Sequence, residues 1–183
     1  MKSSYMQDHF DTIYLQRKKF DEDIQEYRNK EWMRPQPDKW SIGETYYHLY
    51  LLLNRFRQLN KFYIPVGKPF SKACRRTPYK TEIEDIYKAY REKHGKPMKA
   101  PSILLPPKNI ERKIQFKQLK QDLHNETFQF KRVVSGIESN IAGNIRYPDP
   151  LAHYPNLIQS IHLIGIHEQH HFRLCRKYYK LNY

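Results

Sequence analysis

The chain has 183 residues, 39% of them hydrophobic, with 33 Lys and Arg against 19 Asp and Glu for a formal charge of +14. That length and apolar content suit one domain with a real core and exclude a disordered tail, while only 6 glycines argue against a doubly wound sheet or barrel with its many tight turns. Two cysteines are too few for a disulfide scaffold, no apolar run approaches a membrane span, and no signal-peptide core is present, so a cytoplasmic protein with no membrane partner is expected.

Phe10, Ile13, Phe20, Ile24 and Tyr27 recur at helical spacing, with Arg17 interrupting them, and predict a first amphipathic helix from about Gln7 to Asn29. Pro35 and Pro37 then make a turn. Ser41 and Glu44 form an S-x-x-E capping box with Trp40 placed as its apolar staple, so a second helix starts here. Its stripe is Ile42, Thr45, Leu49, Leu52, Phe56, Leu59 and Tyr63, and Pro65 is expected to close it.

From Val66 to Pro107 prolines punctuate the chain, and only KTEIEDIYKAYREKH suggests a helix, so this is read as a long, partly helical crossover. A third long helix is expected from Lys108, with Phe116, Leu119, Leu123, Thr127, Phe130, Val134 and Ile137 on one face. After a connection from Asn144 to Pro155, a fourth helix begins near Pro155 or Asn156 and runs almost to the C-terminus. Four amphipathic segments without a strand pattern describe an all-α four-helix bundle, read as a single domain over residues 1–183.

His167 and His171, four apart on the last helix, lie on one side one turn apart, on a face shared with Leu163, Ile164, Leu174 and Tyr178. Imidazoles on an apolar inward face need partners, and a divalent ion supplies one for both. Taken alone, H-x-x-x-H is equally a pair of hydrogen-bonded core histidines, and His162 and His170 extend a histidine-rich seam. On the second helix His48 stands beside the apolar stripe and would complete a three-imidazole set if the two helices meet.

The segment WSIGETYYHL, from Trp40 through His48, resembles the opening of the DinB-like (YfiT-like) superfamily, and LIGIHEQHH, from Leu163 to His171, is similar to its C-terminal helix with an H-E-x-x-H order. DPLAHYPNL, with His153, is similar to the approach to that helix. The likeness runs from the first helix to Lys180 and leaves the crossover unmatched. It implies a four-helix bundle of up-down-down-up topology whose His48, His167 and His171 bind a divalent metal, often zinc or nickel, and which often pairs as a homodimer. The family often continues as H-x-x-Q, whereas position 174 is Leu here.

Three imidazoles leave an ion an open position, so activation of water for hydrolysis or of a low-molecular-weight thiol for transfer are the expected chemistries. Glu168 is a candidate general base or hydrogen-bond support for a liganding histidine; a surface salt bridge is the alternative. Cys175 either borders the site or is a structural thiol, and Cys74 sits beside Arg75 and Arg76, which would favour its thiolate. Arg17 and Arg55 are candidates to meet a substrate anion or solvated flanks, and Tyr46, Tyr47 and Tyr50 line a cleft or a packing surface. Residues 61–120 hold 16 Lys and Arg against 5 Asp and Glu. An anionic small molecule or thiol fits that charge; the competing reading is a non-catalytic module whose basic crossover binds an anionic partner or nucleic acid.

Overall fold

The computed structural model describes residues 1–96 and 98–181. Among them the fold is all-α: α1 spans Ser4–Asp23, α2 Ile42–Ala73, α3 Ile86–His94, α4 Phe116–Val134, α5 Ser139–Ala142 and α6 Leu157–Tyr179. The sole β-pairing there is an isolated bridge between Arg146 and Asn156.

Capping sets most of the starts. Ser3 caps α1 through Oγ, so that helix begins three residues earlier than expected, and it gives way after Asp23 to a 3-10 turn, Gln25–Tyr27. The box at α2 forms as expected: the Glu44 amide donates to Ser41 Oγ at 3.0 Å and the Ser41 amide to Glu44 Oε2 at 2.8 Å. A second box, unforeseen, opens α6, where Asn156 and Gln159 exchange the same pair of bonds. The third long helix starts at Phe116 rather than Lys108, because Asn109 is left-handed (φ 58°) and Ile110–Arg112 is a separate 3-10 turn.

The largest departure is at Pro65. α2 runs through Pro65 and Pro69 to Ala73. Both prolines lie on the exposed side, where solvent can take the carbonyls left without a helical donor, while Asn60, Ile64 and Ser71 bury the opposite side. The expected stripe holds inward through Leu49 and then drifts: Leu53 is buried and Leu59 points outward.

The core takes side chains from α1, α2, α4, α5 and α6, including the stacked rings of Phe20 and Phe172 (centroids 4.1 Å apart). Every expected inward residue of α4 is buried. Tyr46 of α2 meets Phe116, and Arg57 pairs with Glu126, so residue numbers rise together along α2 and α4. His9 stacks on His162 and Arg17 pairs with Glu168, so α1 and α6 also run together. Across these pairs, Thr45 meets Cys175 and His48 meets His167, which sets α6 antiparallel to α2.

Arg17, the interruption in the first stripe, is buried rather than available to an anion. Its Nε donates to Glu168 Oε2 at 2.9 Å, a second guanidinium nitrogen to Glu168 Oε1, and a third to Thr127 Oγ1 at 2.6 Å. One fork thereby ties α1, α4 and α6 together. Glu168→Ala would leave that guanidinium buried and uncompensated. Urea denaturation of this variant should show a loss of roughly 3–5 kcal/mol.

Candidate metal centre

His48 is presented by the second turn of α2, and His167 and His171 by successive turns of α6, so the antiparallel crossing of the two helices brings all three together. His48 Nε2 lies 3.0 Å from His167 Nε2, which in turn lies 2.9 Å from His171 Nε2. His48 and His167 are buried and His171 is half-buried.

Proton bookkeeping makes this cluster unusual. His48 Nδ1 is 2.8 Å from the Leu104 carbonyl, so Nδ1 carries the hydrogen and Nε2 of the neutral ring presents a lone pair. If His167 Nε2 also presents a lone pair, it opposes that of His48. If it carries a hydrogen, one N–H cannot point along both short contacts at once. A cation shared by three lone pairs removes the conflict. Tetrahedral coordination with bonds of about 2.0–2.1 Å sets ligand nitrogens about 3.3 Å apart, within a few tenths of an ångström of both contacts.

The surroundings favour neutral rings. Burial pushes His48 below the ordinary imidazole value, and pushes His167 and His171 well below it, with the neighbouring imidazoles adding to the effect. Neutral imidazole is the metal-binding form. Trp40, expected as the staple of α2, instead lies against His48 (4.9 Å) and stacks on His171 (5.9 Å, 15° between planes). Tyr87 stacks on His167 at 5.4 Å and on His170 at 4.5 Å. These rings wall the cluster on two sides. His167 Nδ1 is the one histidine ring atom that is buried without a hydrogen-bond partner among the described residues.

Tyr87 and Leu104 both come from the crossover, which the sequence motifs left unmatched. The segment is pinned along the start of α6: Asn156 Nδ2 donates to the Lys80 carbonyl at 2.8 Å, Gln159 Nε2 to the Glu82 carbonyl at 2.8 Å, and the Ile83 amide to His162 Nδ1 at 3.1 Å. His9 Nε2, stacked on His162, reaches the Thr81 carbonyl at 2.9 Å. This anchoring delivers α3, and with it Tyr87, to His167. No feature of the sequence singled out Tyr87 beyond its being one aromatic in a short basic helix.

Other candidates lie elsewhere. Glu168 holds the Glu position of H-E-x-x-H, yet its carboxylate turns to Arg17 and Gln16 and makes no hydrogen bond to a histidine. The 100° step that separates it from His167 directs it at α1 instead. Cys175 is buried, its thiol donates to Thr45 Oγ1 at 3.6 Å, and burial pushes it up to about 11. Cys74 is exposed at the C-cap of α2. Tyr46 is a core residue whose hydroxyl donates to Asp21 at 2.7 Å, Tyr47 and Tyr50 pack on each other half-buried, and Arg55 and His153 are exposed. Two cavities, of about 470 Å³ between α1, α6 and the crossover and about 920 Å³ between α1 and α4, are both lined by residues other than the three histidines.

Comparison of the chain with family models, curated proteins and solved structures returned no match.

The three depressed imidazoles carry a pH signature. Above about pH 6.5 the rings are neutral in both folded and unfolded chains, and linkage costs nothing. As pH falls through that value the unfolded chain binds protons that the fold resists, so stability drops. The urea midpoint of the metal-free protein should fall between about pH 7.5 and 5.5, and His167→Gln should make that fall smaller.

Proposed function

We propose that the chain is a DinB-like metal protein, an up-down-down-up bundle in which His48, His167 and His171 hold one divalent ion, zinc or nickel, for an enzyme acting on a thiol or water. The observation that carries this reading is the pair of short Nε2 contacts on His167, which no arrangement of protons on neutral rings satisfies. The parallel runs of α1 with α6 and of α2 with α4, antiparallel to each other, support the topology.

A divalent ion held there supplies Lewis acidity, which makes a thiol or a water nucleophilic near neutral pH. The chain's own groups position and exclude. The Leu104 carbonyl fixes the tautomer and plane of His48. Trp40 and Tyr87 hold the His171 and His167 rings and keep water from their faces. Burial also keeps the Tyr87 phenol protonated well above its ordinary range, so it serves as a wall and not as a base. The Arg17–Glu168 fork holds α6 in register with α1, which makes Glu168 a positioning residue in this account.

Neither cysteine serves as the reacting thiol. Cys175 is buried against Thr45 with its thiol form favoured, and Cys74 is 26 residues beyond His48 on the same helix, about 39 Å along its axis. The thiol of a transfer reaction therefore arrives as a low-molecular-weight cosubstrate.

Metal analysis tests the site. Protein purified with zinc or nickel supplied should hold close to one equivalent. His167→Ala should bind it at least roughly tenfold more weakly, and Cys175→Ser should bind as wild type does. Equal metal in wild type and His167→Ala, or none in wild type, contradicts the reading. Loss of an electrophile that requires both metal and added thiol then assigns transfer over hydrolysis.

A further inference from the structure

The second half of α2 has one face packed and one face bare. Inward, Asn60 accepts a hydrogen bond from the Tyr147 hydroxyl, Tyr63 donates to the Arg146 carbonyl at 2.6 Å, and Gly67 lies close to Ile145. Outward, Leu59, Phe62, Val66 and Phe70 are 48, 76, 66 and 73% exposed. Their spacing of three, four and four residues makes them one continuous stripe on a helix. Isolated exposed apolar residues need no explanation, but four large ones in register on one helix do.

The charge of this stretch of chain has one sign. From Arg55 to Arg76 the chain carries seven Lys and Arg and no Asp or Glu. Arg57 is paired with Glu126; the other six have no carboxylate within 4.0 Å among the described residues. Lys61, Lys68 and Lys72, at steps of seven and four, form a second row at the other margin of the exposed side, across Pro65 and Pro69 from the stripe.

We propose that this side of α2 docks on an anionic phospholipid surface, with Phe62, Val66 and Phe70 entering the boundary between headgroups and acyl chains and the lysines of the other margin meeting lipid phosphates. Charge complementarity selects this occupant. Pairing with a second copy would bury the stripe, but would bring together two segments that each carry seven cations and no carboxylate. Nucleic acid would answer the charge and leave Leu59 and Val66, which cannot stack on bases, in water. A folded acidic partner would need a groove to receive a convex ridge, whereas a fluid bilayer deforms around it. The absence of a spanning run, which underlay the expectation of no membrane partner, does not bear on a helix that lies in the surface plane. This inference is independent of the metal site.

Co-sedimentation of the full chain with vesicles tests it, using phosphatidylcholine alone and an equal mixture with phosphatidylglycerol. Binding should favour the anionic vesicles by roughly tenfold or more, and should fall by a similar factor in Phe62→Ser/Phe70→Ser and in Lys68→Ala/Lys72→Ala. Phe62, Phe70 and Lys72 are exposed and Lys68 is half-buried, and helical circular dichroism checks that each variant folds. Unchanged binding in Phe62→Ser/Phe70→Ser reduces the effect to adsorption by charge and overturns the proposal. So does failure to bind either vesicle, whether the stripe then proves to join two copies, seen as a dimer lost in that variant, or to serve salt-sensitive binding to an oligonucleotide.

Discussion

Burying three imidazoles edge to edge is the constraint around which this molecule is arranged. Each ring nitrogen taken from water needs a partner, and hydrogen bonds between neutral rings cannot satisfy all three Nε2 atoms when two of them approach the same third. His48, His167 and His171 meet in that way between α2 and α6. The rest of the fold around them reads as a set of devices that hold the rings where they would otherwise separate: capped starts to α2 and α6, a buried ionic fork behind α6, and aromatic rings against the imidazole faces.

The crossover belongs to the same arrangement. A long connection between helices is commonly a surface excursion, but here residues 80–83 are fastened to α6 by side chains of Asn156, Gln159 and His162. That fastening makes Tyr87 and the Leu104 carbonyl part of the histidine cluster's surroundings. His162 takes part only as an acceptor at Nδ1, so the stacked His9–His162 pair is structural, and the histidine-rich look of the last helix resolves into two separate uses of imidazole.

Much of this was legible in the sequence because it depends on local rules. The Ser41–Glu44 box, the start of α6 and the inward face of α4 follow from capping and periodicity, and the proximity of His167 to His171 follows from a four-residue step. What was not legible depends on neighbours distant in the chain. Pro65 reads as a stop, yet the helix continues because its prolines face outward while Ile64 and Ser71 remain packed. Glu168 sits where a catalytic glutamate would stand in H-E-x-x-H, but Arg17, 151 residues away, claims it. The basic charge that first suggests a nucleic-acid partner falls partly on the outer side of α2, which also carries an apolar stripe visible only once the buried side of that helix is known. Periodicity finds a helix face; only tertiary packing says which face is covered.

X-ray absorption at the metal edge of the loaded protein tests the proposed centre most directly, since it reports the ligand atoms themselves. The account predicts three imidazole nitrogens at about 2.0–2.1 Å, with the imidazole outer-shell scattering reduced by a third in His48→Ala. A shell dominated by oxygen or sulfur, or a spectrum that His48→Ala leaves unchanged, would contradict it.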